Sequence, residues 1–292
     1  MTTLGIGRTL QKYPCIKKYY GQYITSFLKE KHPLISLIFN EWRYLDLLNG
    51  WLEKLDSTPD ITHLIKKSRN PTDFFNIMSE FKVASILIDK VGKFKIIVPK
   101  KSSPEFEIEM FGRTITIEVK RIGDKRETRK GKVKYNPASA GMSYEFEDEH
   151  TIYNSIKESI IEKKQYYPNI PHIILFDCSS ASSIKESDFE DVLYHKKDKF
   201  IPLMPTRAIT GKFIGYGHPE YKYDGVFYKK IREENYSCLS GIAAIFESYR
   251  ELRTNSSKEP RIVFFRNPNA DLNINEEILS SLGMKIYKIK EG

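Results

Sequence analysis

At 292 residues with a formal charge of +9, the chain is long enough to bury about three-quarters of its unfolded surface, as one large domain or one with a helical appendage. Its 40% hydrophobic and 29% charged residues exclude the disordered and fibrous classes. Apolar runs such as Ile173 to Phe176 fall far short of the ~18 residues a spanning helix needs, and the start MTTLGIGRTLQKYP has no apolar stretch behind a basic one. The expectation is an intracellular protein, cytoplasmic or nucleoid-associated, neither secreted nor in a membrane.

Taken in chain order, the first periodic segment spans about 34 to 56, where Ile38, Trp42, Leu45, Leu48, Leu52 and Leu55 recur at helical steps until Ser57-Thr58-Pro59-Asp60. Pro71-Thr72-Asp73 offers N-cap chemistry ahead of a second helix, in which Phe74, Ile77, Phe81, Ala84, Ile88 and Val91 repeat until Gly92. The period then changes to two, predicting strands over 93–98, 105–110 and 113–122. A Lys/Arg-rich stretch (124–136) and a Gly/Ser/Pro segment lead to a helix over about 147–167, and Pro171 to Cys178 reads as a buried strand. Beyond residue 200, Gly211 to Gly225 is loop-like, and strands are expected within 241–248 and 261–266. The order predicts an α/β fold with a mixed sheet. Three regions follow: an N-terminal helical region (1–70), a core (71–200) and a C-terminal sheet extension or accessory region (201–292).

Several chemistries lack their signatures. Cys15, Cys178 and Cys238 stand far apart, which fits a reducing compartment and builds no C-x-x-C zinc site. The six histidines show no H-x-x-x-H or H-E-x-x-H spacing, and Gly5-Ile6-Gly7 lacks the later glycines of a dinucleotide loop. A metal, if held, must be held by carboxylates.

Alternation places Thr114, Thr116, Glu118 and Lys120 on one face of the third strand, and a hairpin through Phe111-Gly112 returns Glu105 towards its end. Glu105, Glu118 and Lys120 therefore gather at one end of a hairpin. Clustered carboxylates can hold a hard divalent ion, and a lysine beside them can orient the attacking water during phosphodiester hydrolysis. E-x-K also occurs at Glu80/Lys82, Glu162/Lys164 and Glu220/Lys222, so the spacing is not distinctive by itself. Glu80 falls within the apolar arc of its helix, away from the face assigned to Lys82 and Asp89, and is expected to point towards the sheet.

In this order, with Glu80 on a helix, Pro104-Glu105, a hairpin, Glu118-Val119-Lys120, a helix ending Lys163-Lys164-Gln165 and then a buried strand, residues 73 to 180 resemble the PD-(D/E)XK nuclease superfamily. The resemblance implies a restriction-endonuclease-like mixed sheet flanked by helices, and Mg²⁺ or Mn²⁺ as cofactor. It assigns metal binding to Glu105, Glu118, the Val119 carbonyl and Glu80, water activation to Lys120, and site support or DNA contact to Gln165. The chain departs from the pattern at Glu105, where the family carries Asp; Glu107, on the same strand face, is the alternative ligand.

Lys120, Arg121, Lys125, Arg126, Arg129, Lys130, Lys132 and Lys134 follow closely and can hold backbone phosphates without reading sequence. Asp177, His172, His195 and His218 receive no role. The expected function is a Mg²⁺-dependent DNA nuclease, with a non-catalytic nucleic-acid-binding protein on the same fold as the alternative. Cutting both strands of a duplex calls for two active sites, which allows a homodimer, although no heptad seam marks one.

Overall fold

Alternating Ile115, Ile117 and Val119 with Thr116 and Glu118 makes 113–121 the longest strand, and its neighbours bury both of its faces. The computed structural model describes residues 3–98, 103–122, 152–181, 184–194, 226–227, 236–246 and 260–288. Helices α1 (Thr3–Leu10), α2 (Pro14–Tyr20), α3 (Ile24–Glu30), α4 (Pro33–Asn40), α5 (Trp42–Leu55) and α6 (Ile61–Lys67) precede the long α7 (Phe74–Val91). Then come β1 (Phe94–Ile96), β2 (Phe106–Met110), β3 (Arg113–Arg121), α8 (152–162, its last turn Glu158–Glu162 π-helical) and β4 (His172–Asp177). The chain continues through α9 (Glu186–Tyr194), β5 (Gly241–Ile245), β6 (Ile262–Arg266), α10 (Glu276–Ser281) and β7 (Met284–Ile286).

The seven strands of the described residues form one mixed sheet in chain order, β1 to β7. β1, β2 and β3 pair antiparallel, β3–β4 and β4–β5 parallel, β5–β6 antiparallel and β6–β7 parallel. The C-terminal strands thus lie in the same sheet as β3 and β4. One face, through Ile115, Ile117, Val119, Ile173, Leu175, Ala243 and Phe264, shares a core with α7 and the N-terminal helices. The other, through Ile174, Phe176, Ile242, Ala244 and Phe265, packs with Ile156 and Ile160 of α8 and Phe189 of α9. No helix among the described residues is long and apolar enough to cross a membrane, and Cys15, Cys178 and Cys238 form no disulfide.

Three local expectations are corrected. The periodicity over 34–56 belongs to two helices, because Glu41 leaves the helical region (φ −137°) and its carbonyl accepts the Tyr44 N–H at 2.9 Å, starting α5 afresh. Asp73 makes no capping bond; the Asn70 carbonyl receives the Asp73 and Phe74 N–H groups instead, both at 3.1 Å. Lys82 is not on a solvent face: residues 77–85 of α7 are buried throughout, Lys82 among them.

The β2–β3 hairpin closes through Phe111 and Gly112, both at positive φ (50° and 72°), the conformation a two-residue turn requires and a phenylalanine resists. Gly241 is dictated by close approach, since a Cβ there would meet the Phe264 ring and lie 2.6 Å from the Phe265 carbonyl oxygen. Gly241→Ala is expected to cost about 1–3 kcal/mol, read as a lower urea midpoint with an unchanged slope.

Candidate active site

Burial on both faces leaves the polar side chains of β3 little room. Register sets Glu118 opposite Ile174 on β4, and on the β2 side Glu105 follows on from the Phe106–Ile117 pair with its N–H donated to the Ile117 carbonyl at 3.1 Å. The Glu105 Oε2 accepts the Val119 N–H at 2.8 Å, so this carboxylate lies along the open edge of β3 just where β2 has ended. Glu107, directly opposite Lys95 on β1, is engaged there by an ion pair at 3.6 Å. Glu105, and not Glu107, stands beside Glu118.

Glu118 is wholly buried, and both its oxygens lack a hydrogen-bond partner among the described residues. Lys120 Nζ does lie 2.6 Å from Glu118 Oε1 as an ion pair; the contact is short but misses hydrogen-bond geometry, so it supplies charge rather than an aligned donor. Lys120 also donates to Gln165 Oε1 at 3.2 Å, which joins the segment after α8 to β3. Burial, then the neighbouring Glu105 carboxylate, push the Glu118 carboxyl well above its ordinary value, against the pull of Lys120.

Glu80 reaches the same place from α7. It is buried, its Oε2 has no hydrogen-bond partner, and Lys67 Nζ at the end of α6 stands 3.9 Å from its Oε1. Burial and the neighbouring Glu105 raise it to about 8, with Lys67 and Lys120 opposing. Glu80 and Glu118 thus each act on Glu105 and each feel Lys120, and Lys163, paired with Glu158, also feels Glu118 and Glu105. Among the described residues, no three His, Cys, Asp or Glu side chains already gather as a metal-ligating set.

The raised Glu80 carboxyl has a consequence for stability. Between its ordinary 4.5 and about 8, the folded state keeps a proton that the unfolded chain releases, so stability falls as pH rises through that window. Glu80→Gln removes the penalty, so its melting temperature should exceed the wild type's by several degrees at pH 8 and match it at pH 4. An equal offset at both pH values would contradict the assignment.

Of the remaining predicted residues, Arg121 turns to the α7 side, away from Lys120. Its guanidinium lies 5.0 Å from the Phe75 ring centroid and donates to Ser180 Oγ at 3.0 Å. Lys125, Arg126, Arg129 and Lys130 lie outside the described residues, as do His195 and His218. Sequence reasoning gave no role to Lys67 or Lys163, which border the carboxyl groups, or to His172, which feels Lys120. For His172 the signal was parity, since it shares a sheet face with Ile174 and stands opposite Thr116. No family model, no curated protein and no solved structure matches the chain.

Proposed function

We propose that this protein is a divalent-metal-dependent nuclease that hydrolyses DNA phosphodiester bonds on a restriction-endonuclease-like core. The observation that carries the reading is Glu118: a carboxyl group wholly buried, without an aligned hydrogen-bond donor, beside a second carboxylate and a lysine. A carboxylate kept only for structure is normally satisfied by hydrogen bonds, because leaving it unsatisfied in the interior costs several kcal/mol, roughly. Supporting it are the element order α7, β1–β3, α8, β4, which is the order the resemblance implies, and the placement of Glu105 beside Glu118.

The donors fit a hard cation. Glu118 and Glu105 would hold it, with the Val119 carbonyl and Glu80 in reach of the family's roles, and Mg²⁺ commonly takes only one or two carboxylates and fills its remaining positions with water and phosphate. The chemistry a bound Mg²⁺ or Mn²⁺ supplies is Lewis-acid stabilisation of charge on the phosphoryl oxygens. Lys120, held between Glu118 and Gln165, orients the water and carries positive charge next to the phosphorus under attack. Lys67 flanks the carboxyl groups with positive charge suited to an adjacent phosphate.

Titration with Mn²⁺ tests the reading. Wild type should gain melting temperature in a saturable, EDTA-reversible way, by about 2.7 kcal/mol of stability at a hundredfold excess over Kd. Glu118→Gln should show no gain, and an equal gain in both proteins would overturn the assignment. Glu105, standing where the family carries Asp, favours a second reading, a nuclease-like fold that binds nucleic acid without cutting it; salt-sensitive DNA binding with no metal response would select it.

A further inference from the structure

On the α8 side of the sheet, three side chains have buried polar atoms without a hydrogen-bond partner among the described residues: Ser159 Oγ, His172 Nε2 and the two Glu118 oxygens. Each belongs to a residue that is fully buried. Unpaired polar atoms of this kind are uncommon in a folded interior, and three side chains at one locality call for a shared explanation.

They converge through named contacts. Ser159 sits in the π-helical turn of α8, where Lys163 N–H bonds back to the Glu158 carbonyl at 2.8 Å and Gln165 N–H to the Ser159 carbonyl at 2.8 Å. Gln165 holds Lys120, and Lys120 pairs with Glu118. Tyr166, the next residue, brings its ring within 6.4 Å of the His172 ring. His172 is fixed at its other nitrogen, with Nδ1 at 3.0 Å from Thr116 Oγ1. Thr116 faces His172 in the register and Glu118 lies two residues on, so the Glu118 and His172 Cβ atoms stand about 8 Å apart on one face. Both side chains project from that face into the layer that holds Ser159.

We propose that the π-helical turn, His172 and Glu118 enclose an internal hydration site, in which a buried water bonds Ser159 Oγ, His172 Nε2 and a Glu118 oxygen. A buried water typically makes about three hydrogen bonds, and three side chains here have bonds to give. Either tautomer of His172 suits it, because water donates to a bare Nε2 or accepts from Nε2–H. Helices widen into a π turn at a cost, frequently where function needs it, and Ser159 lies within that turn. His172 is thereby a positioning residue. It acts on Glu118 through the water, and its part in catalysis, unlike the water itself, rests on the nuclease reading.

The test has one arm that needs no activity. A crystal structure of the full chain, at a resolution that shows ordered water, should place a water roughly 2.7–3.2 Å from His172 Nε2 and within the same range of Ser159 Oγ or Glu118. A dry gap, or a direct bond from Nε2 to a protein group, overturns the proposal whether or not the protein cuts DNA. In the second arm, His172→Leu should lower kcat about tenfold with little change in KM, and His172→Gln, which restores a polar atom, should recover most of it. Equal loss in both variants, with the fold intact, would make His172 a packing residue and contradict its positioning role.

Discussion

Lys120→Ala should remove DNA cleavage, by about 10²–10³-fold or more, while the salt-dependent affinity for the same DNA changes only a few-fold. The asymmetry follows from where Lys120 sits. Its ammonium is aimed at Glu118 and Gln165 and is only 18% exposed, so it contributes little to the surface field that gathers phosphates but, in the proposed function, stands next to the reacting atoms. The variant should still fold, because a Glu118 deprived of its counter-charge takes up a proton instead of remaining as a buried anion. Gel-based cleavage and binding measured in parallel distinguish the outcomes: cleavage that persists in Lys120→Ala contradicts its assigned role, and loss of binding in step with cleavage makes Lys120 a DNA contact.

The largest expected effect on stability lies at the other end of β4. Asp177 is fully buried and accepts Ser79 Oγ at 2.7 Å, Lys82 Nζ at 3.3 Å and the Ser179 N–H at 3.2 Å; the Lys82 ammonium and the Ser179 hydroxyl also bond one another. This cluster ties α7 to the turn after β4. Burial alone would raise the Asp177 carboxyl, yet Lys82 and the serine donors hold it below its ordinary 3.8. Its contribution is therefore present above pH 3.8 and is lost as pH falls through the lower folded value. Asp177→Asn strands a buried ammonium and should cost about 3–5 kcal/mol by urea unfolding. The double variant Asp177→Leu/Lys82→Met should recover most of that, since an apolar pair of similar volume replaces the ion pair without desolvating a charge. A double variant as unstable as the single one would show that the serine network, not the charge pair, carries the tie.

Much of this architecture was legible in the sequence because it is written in periodicity. The step of three and four from Phe74 to Val91 and the alternation from Arg113 to Ile122 gave α7 and β3, and the same alternation put Glu118 and Lys120 on one face. The hairpin return of Glu105 followed from the Phe111-Gly112 turn. What periodicity does not carry is environment. Lys82 reads as a surface residue by composition and is buried because its side of α7 meets the end of β4, where Asp177 is its counter-ion. Glu41 interrupts a continuous apolar stripe without any Pro or Gly to announce it. α9, α10 and β7 are short and owe their form to packing on the sheet, so their local pattern is faint. His172 was visible as a residue but not as the partner of Thr116, two residues from Glu118, because the β3–β4 register is a tertiary fact.

The most direct test of the central claim is incubation of the purified full chain with duplex, single-stranded and branched DNA in Mg²⁺, in Mn²⁺ and in EDTA, with Glu118→Gln alongside. Products that appear only with metal, and only from the wild type, are the predicted result. Intact DNA in every lane, with salt-sensitive binding retained, would contradict the nuclease assignment and leave a binding protein on this sheet.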